Sequence, residues 1–271
     1  KAYDDKMEAL GAYRVEYSLF MEFKESGAVT SSHTHTERVL SSGEGYRIEQ
    51  LVAGNPQTPP VFLRVQTDDR RQFCVLQFTN AGTPDMATIK PADEPPAFYN
   101  ALVCTPVGLA GLHDSAQCGN LEGLRPFMSD VRALARDSKT TLIENPVVLD
   151  GEEAYLLEWP AGEPHPQFRF WLSKTRDLAL LKYAYFSDEQ GEFLPWIETR
   201  NTDFEEVAPG LFLPHKSEFR RREMRGLPGQ VMSIETVSHE FKVVTSPDDY
   251  RVAFPQGIRV DNRALGLRYT Q

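Results

Sequence analysis

Over residues 13–23 the chain alternates without a break. Tyr13, Val15, Tyr17, Leu19, Met21 and Phe23 fall on one parity, and Arg14, Glu16, Ser18, Phe20 and Glu22 on the other. Successive side chains of an extended strand point to opposite faces, so a period of two fits a long strand and no helix. One face of this strand is apolar; the other, Phe20 excepted, is polar. Such a strand belongs in a sheet, and the sheet must bury its apolar face against something.

The neighbouring segments fit the same sheet. Residues 2–11 place Met7 and Leu10 at helical spacing and end on Gly11, which suits a short glycine-capped helix. Strand-like segments follow at 37–40, 45–52, 61–66 and 72–78, parted by Gly, Pro, Asn and Asp, as in an antiparallel meander. Cys74, Leu76 and Phe78 alternate with Phe73 and Val75, so the last of these strands is apolar on both faces and is covered twice or faces a cavity. Residues 80–97, rich in proline, read as a long loop. Between 98 and 136 the texture turns helical: Leu121, Leu124, Phe127, Met128, Val131, Leu134 and Ala135 form an amphipathic stripe, its regular part starting near Pro126. Strand-like segments resume at 141–144, 154–159, 168–172, 178–186, 195–200, 213–222 and 231–244. The expected fold is mainly β (α+β): one domain over 1–271, with a helical insertion at about 98–136. A closed barrel is one option. An open, strongly curved antiparallel sheet, or incomplete β-barrel, with helices covering its concave face is preferred, because the stripe is too broad for the outside of a barrel.

With 16 Phe and 10 Tyr in 271 residues the chain has the flat side chains a pleated surface packs well. Its formal charge of -10 repels phosphates and anionic lipid surfaces, which disfavours nucleic acid as a partner. No run approaches the roughly 20 apolar residues of a membrane-spanning helix. The opening at Lys1, without Met, suits a chain trimmed of an export signal, and an expression fragment would look the same. Cys104 and Cys118 close a short loop suited to a disulfide, two buried thiols being the alternative.

Catalytic patterns are weak. His33 and His35 share a strand face, yet no carboxylate pattern completes a metal site, and a solvated loop is the plainer reading. His113, Asp114 and Ser115 lack a nucleophile elbow. Glu152 with Glu153, and Glu205 with Glu206, would point to opposite faces of a strand and read as turn and surface charges. The GEG at 43–45 lacks the third glycine of a dinucleotide loop. Arg220, Arg221, Arg222 and Arg225 read as an edge-strand charge cluster before an anion grip. No catalytic residue, metal or cofactor is expected.

The order helix, alternating strand, meander, central helix, then FRFWLSKTRDLALLKYAYF (168–186), resembles the outer-membrane lipoprotein carrier family and its lipoprotein-sorting relatives, the LolA-like and LolB-like proteins. FEEVAPGLFLPHKSEF (204–219) and YRVAFPQGIRVDNRALGLRY (250–269) are similar to the closing segments of large bacterial relatives. The resemblance implies an incomplete β-barrel closed by helices, an acyl cargo, and an arginine on an early strand that fastens the helical lid. Arg47 in GYRIEQL is the positional match. The chain is longer than a simple carrier, with its proline-rich segment and the stretch around Cys104 and Cys118 added.

These readings converge on a non-enzymatic periplasmic or cell-envelope protein that binds or carries an apolar or acylated ligand, such as a lipoprotein acyl chain. The expected ligand-binding residues are Tyr13, Val15, Tyr17, Leu19, Met21, Phe23, Arg47, Leu124, Phe127 and Val131. The alternative is a non-catalytic envelope scaffold or interaction module whose cavity is plugged by its own helices, with an envelope protein as its partner.

Overall fold

From Tyr13 to Leu19 buried residues recur at every second position in the computed structural model. It describes residues 5, 6, 8, 10–42, 45–52, 61–68, 72–78, 84–91, 106–110, 138–160, 167–189, 192–223 and 228–271. Residues 5, 6, 8 and 10 are helical, and Gly11, at φ +58, turns the chain out of that helix in a conformation costly for a side chain with a Cβ. The strand expected over 13–23 is β1, Tyr13–Glu25. After a turn through Ser26 and Gly27, both at positive φ, β2 runs Ala28–Ser42. Then come β3 (Gly45–Val52), β4 (Val61–Asp68), β5 (Gln72–Phe78) and β6 (Pro84–Pro91). The second half is β7 (Thr141–Leu149), β8 (Glu152–Pro160), β9 (Gln167–Ser173), β10 (Leu180–Glu189), β11 (Glu192–Ala208), β12 (Leu211–Arg221), β13 (Gly229–Phe241), β14 (Arg259–Asn262) and β15 (Leu267–Thr270).

Hydrogen bonding orders these strands β15-β14-β6-β5-β4-β3-β2-β1-β13-β12-β11-β10-β9-β8-β7 in a sheet of 15 strands. Among the described residues no ladder joins β15 to β7, so the sheet does not close into a barrel. β14 runs parallel to β6, whereas the ladders from β2 to β6, from β7 to β13 and between β14 and β15 are antiparallel.

Two expectations are corrected here. Residues 80–97 hold strand β6 where a loop was expected: Pro84 and Pro91 stand at its ends, where a missing N–H costs least, and the stretch between pairs with β5 on one side and β14 on the other. The helical cover is not supported, because helix among the described residues is limited to the N-terminal turn, a short helix Pro106–Leu109 and a 3-10 turn Pro247–Tyr250. The stripe at 121–136, with Leu124, Phe127 and Val131, lies outside the described residues, as do Cys104 and Cys118.

The chain divides into two compact units. One comprises 1–9, 20–33 and 102–235 and contains β7 to β12. Its helix Pro106–Leu109 packs on β12, with Val107 and Ala110 buried. The other comprises 10–19, 34–101 and 236–271. Within it, Ala87, Ile89, Ile258 and Val260 form a small core on the β6–β14 pair, with Val252 and Phe254 against it. Tyr250, buried in the 3-10 turn, donates its hydroxyl hydrogen to Ser42 Oγ at 2.6 Å.

Candidate functional site

In the unit holding 10–19, β1 buries Tyr13, Val15, Tyr17 and Leu19, while Arg14 and Phe20 are exposed and Glu16 and Ser18 half-buried. Met21 and Phe23, farther along the strand, are half-buried. Tyr17 is wholly shut from solvent, and its hydroxyl donates to Glu37 Oε2 on β2. Glu37 is the polar centre of this face. His35 Nε2 lies 2.9 Å from its Oε1, and Gln50 Nε2 donates to the same oxygen at 2.7 Å from β3, where Gln50 stands directly across from Glu37. Burial alone would push the carboxyl up; the hydrogen bonds from His35 and Tyr17, the charge attraction of His35 and the bond from Gln50 outweigh it and hold Glu37 below the ordinary carboxylate range. Among the described residues no cluster of histidine, cysteine and carboxylate fits a metal ion, so His35 serves the carboxylate.

Arg47 is on the other face. The β2–β3 register pairs Glu37 with Gln50, Val39 with Ile48 and Ser41 with Tyr46, and sets Arg47 on the opposite parity across from Leu40. Its Nε donates to Glu49 Oε1 at 2.8 Å and its Nη1 to the Arg251 carbonyl at 3.1 Å. It fastens the segment after the 3-10 turn, and does not join Tyr17 and Glu37.

The unit holding 102–235 has a larger apolar face, on which Phe168, Phe170, Tyr183 and Tyr185 are buried. Registers across β8, β9, β10, β11, β12 and β13 line up three rows on one face. The first is Trp159, Phe168, Tyr185, Ile197, Arg221 and Gln230; the second Leu157, Phe170, Tyr183, Thr199, Phe219 and Met232. The third holds Tyr155 and Leu172, then Asn201, Ser217 and Ile234. Ring centroids separate Trp159 from Phe168 by 5.5 Å, Phe168 from Tyr185 by 4.9 Å and Phe170 from Tyr183 by 5.2 Å, distances at which tilted aromatic pairs attract. A β-bulge between Tyr185 and Phe186 leaves Trp196 out of register and brings its ring to 5.6 Å from Tyr185. Burial pushes the Tyr185 phenol above its ordinary value, so it stays neutral. Farther along, Ser217 Oγ donates to Asn201 Oδ1 and Asn201 Nδ2 to the Leu180 carbonyl, each at 2.8 Å, which satisfies both side chains inside the face.

The reverse face is charged. Arg169 pairs with Glu158 at 2.6 Å, Lys182 with Glu198 at 2.7 Å, Arg220 with Glu218 at 2.6 Å, and Lys216 with Asp203 at 3.4 Å. Arg220 therefore sits on an interior strand, β12, and not on a sheet edge, and Arg221 turns to the aromatic face; the basic run is split by the pleat. Glu152, expected at the surface, accepts from Ser173 Oγ and Thr175 Oγ1 and braces the β9–β10 turn with Arg176.

No family model matches the sequence, and no curated protein matches it. Among the solved structures to which this chain is similar are two from bacteria. One is a LolA superfamily protein from Nitrosomonas europaea, at 10% identity and a TM-score of 0.48, covering 93% of this chain and 96% of the other. The second is an outer membrane lipoprotein-sorting protein domain from Vibrio parahaemolyticus, at 13% identity and a TM-score of 0.45, covering 92% and 94%.

Of the expected ligand residues, Tyr13, Val15, Tyr17 and Leu19 share a buried face, Met21 and Phe23 continue their strand, and Arg47 stands apart. Glu37 was missed, although its signal is in the sequence: His35 and Glu37 fall on the same parity as Val39, so two polar groups occupy a buried face. The aromatic face was only half seen. FRFW (168–171) and YAYF (183–186) show the aromatic residues in the sequence, while their cross-strand register is set by the fold.

Proposed function

We propose that this chain is a non-enzymatic carrier or binding protein for an apolar or acylated ligand, such as a lipoprotein acyl chain, acting in the periplasm or cell envelope. One observation carries the reading. The face with Trp159, Phe168, Phe170, Tyr183, Tyr185 and Trp196 is a continuous aromatic surface on an antiparallel sheet whose reverse carries ion pairs. Aromatic rings over methylene chains give large apolar contact with little loss of side-chain freedom, which suits a ligand of variable length. Flat aromatic rows also have no group that would act on the chain chemically. The sequence resemblance to lipoprotein carriers points the same way. Among the described residues no helix is long and apolar enough to cross a membrane.

A second reading is favoured by Val107, fully buried on the helix that packs on β12: the protein's own chain plugs the face, and the protein is a scaffold. Native mass spectrometry and lipid extraction of the purified protein test the first reading. A co-purified acyl compound, and displacement of a fluorescent fatty-acid probe that is lost in Phe170→Asp, are expected. Absence of acyl compounds and of probe binding would leave the scaffold. If 121–136 supplies a mobile plug, Leu124→Ser should tighten probe binding; lower stability with unchanged binding would place that stripe in the core.

A further inference from the structure

The first aromatic row ends in polar side chains. After Trp159, Phe168, Tyr185 and Ile197 it runs to Arg221 on β12 and Gln230 on β13. Gln230 is 2% exposed, and its Oε1 is buried with no hydrogen-bond partner among the described residues. A buried carboxamide oxygen that receives no donor is rare, because it forfeits its bonds to water. Asn201, buried on the same face, has its amide bonded at both ends. The strand start is close-packed: a Cβ at Gly229 would come within 3.3 Å of the Glu223 nitrogen and 3.5 Å of the Arg221 and Lys24 carbonyl oxygens, so a larger residue there would press on the neighbouring backbone. Arg221, directly across the ladder, is held by its Nη2 on the Pro228 carbonyl at 3.1 Å.

We infer that Gln230 is the polar anchor of the aromatic face, and that the ligand is an amphiphile whose polar end carries a hydrogen-bond donor, an amide N–H or a hydroxyl, set against Gln230 Oε1 with its hydrocarbon laid over the aromatic row. The inference rests on the proposed function and adds to it a choice of ligand chemistry. A hydrocarbon, ether or ester end would leave the Oε1 buried and unanswered, and a site with a waiting acceptor rejects a ligand that cannot supply the proton. Amide and hydroxyl ends share that chemistry and are separated by the probes used.

The test is competition against a fluorescent fatty-acid probe by dodecanamide, dodecanol and methyl dodecyl ether, with the intact chain. The amide, the alcohol or both should displace the probe at about tenfold lower concentration than the ether, and in Gln230→Leu that preference should fall to about one. The better of the two donors identifies the source. Gln230→Met, which keeps length and removes both polar groups, is the second variant should Gln230→Leu fold poorly; the unliganded melting temperature of either should match or exceed the wild type, since an unanswered buried oxygen is removed. Equal displacement by all three compounds in the wild type, or a preference that survives both variants, would overturn the inference and leave apolar binding standing. A wild type that binds no probe would overturn both.

Discussion

Glu37 stays ionised inside a sheet because donors reach it from three strands: Tyr17 from β1, His35 from its own β2 and Gln50 from β3. A carboxyl whose value is lower folded than unfolded stabilises the fold above its unfolded value, and that contribution is lost as pH falls through the folded value. The wild type should therefore lose stability as pH drops below the ordinary 4.5 of a glutamate, and Glu37→Gln should flatten that part of the curve while costing about 1–3 kcal/mol at neutral pH through mismatched donors. Urea unfolding over a pH series measures both. The exposed carboxylates Asp249, held low by the Ser246 backbone and hydroxyl, and Asp261, held low by Arg268 and Arg263, titrate in the same acid range. At about 1 M salt the Asp261 ion pairs are screened whereas the buried Glu37 is not, and an Asp249→Asn background removes the hydrogen-bonded Asp249 from the comparison. An acid slope that persists in Glu37→Gln at high salt would show that the slope has another source. The same residue marks a limit of reading one strand at a time, since alternation puts Glu37 on a buried face but only the β2–β3 register supplies Gln50.

At the scale of elements, a strand is legible when its period is long and its partners are close in sequence. β1, β3 and β5 appear where the alternation puts them, because each pairs with a chain neighbour, and in β1 and β3 one buried face fixes the register. Burying a side chain such as Leu19 is worth roughly 1.5–3 kcal/mol, so Leu19→Asp should cost at least that much while Ser18→Asp, half-buried on the other parity, should be nearly neutral; equal melting temperatures would reverse the faces assigned to β1. β6 was not legible. Its prolines masked it, and its second partner, β14, comes from near the C-terminus. The rows of the aromatic face were hidden for a related reason: the pair Phe170 and Tyr183 is set by register, and the bulge that brings in Trp196 breaks the period. Phe170, 3% exposed and in tilted ring contact with Tyr183, should lose about 3–5 kcal/mol on substitution by Ala, measured by chemical unfolding. A loss under about 1 kcal/mol would mean that the face collapses readily, the behaviour of a malleable binding surface and not of a tight core.

An open sheet of this length has to keep its two end strands from pairing with other chains. β15 at one end is only 4 residues long, Leu267–Thr270, too short to template a partner well. β7 at the other end is longer, 9 residues, and exposes Leu142 and Val148, which makes it the greater hazard. Its ladder with β8 breaks between Ile143 and Val147, the stretch that holds Glu144, Asn145 and Pro146. A bulge twists the edge away from a flat partner, and proline withholds an N–H that a new strand would need, so the irregularity guards the edge against association. The formal charge of -10 adds a longer-ranged repulsion between copies. Deleting Asn145 and Pro146 should let the β7–β8 pairing run on without the register shift and restore a flat edge. At about 1 M salt, where the charge is screened, the apparent mass of that variant by size exclusion with light scattering should rise with concentration relative to the wild type, and Val148→Lys in the same background should reverse the rise. If the deletion variant keeps the wild-type mass at every concentration, the bulge is not the guard, and net charge with the short reach of the edge is enough.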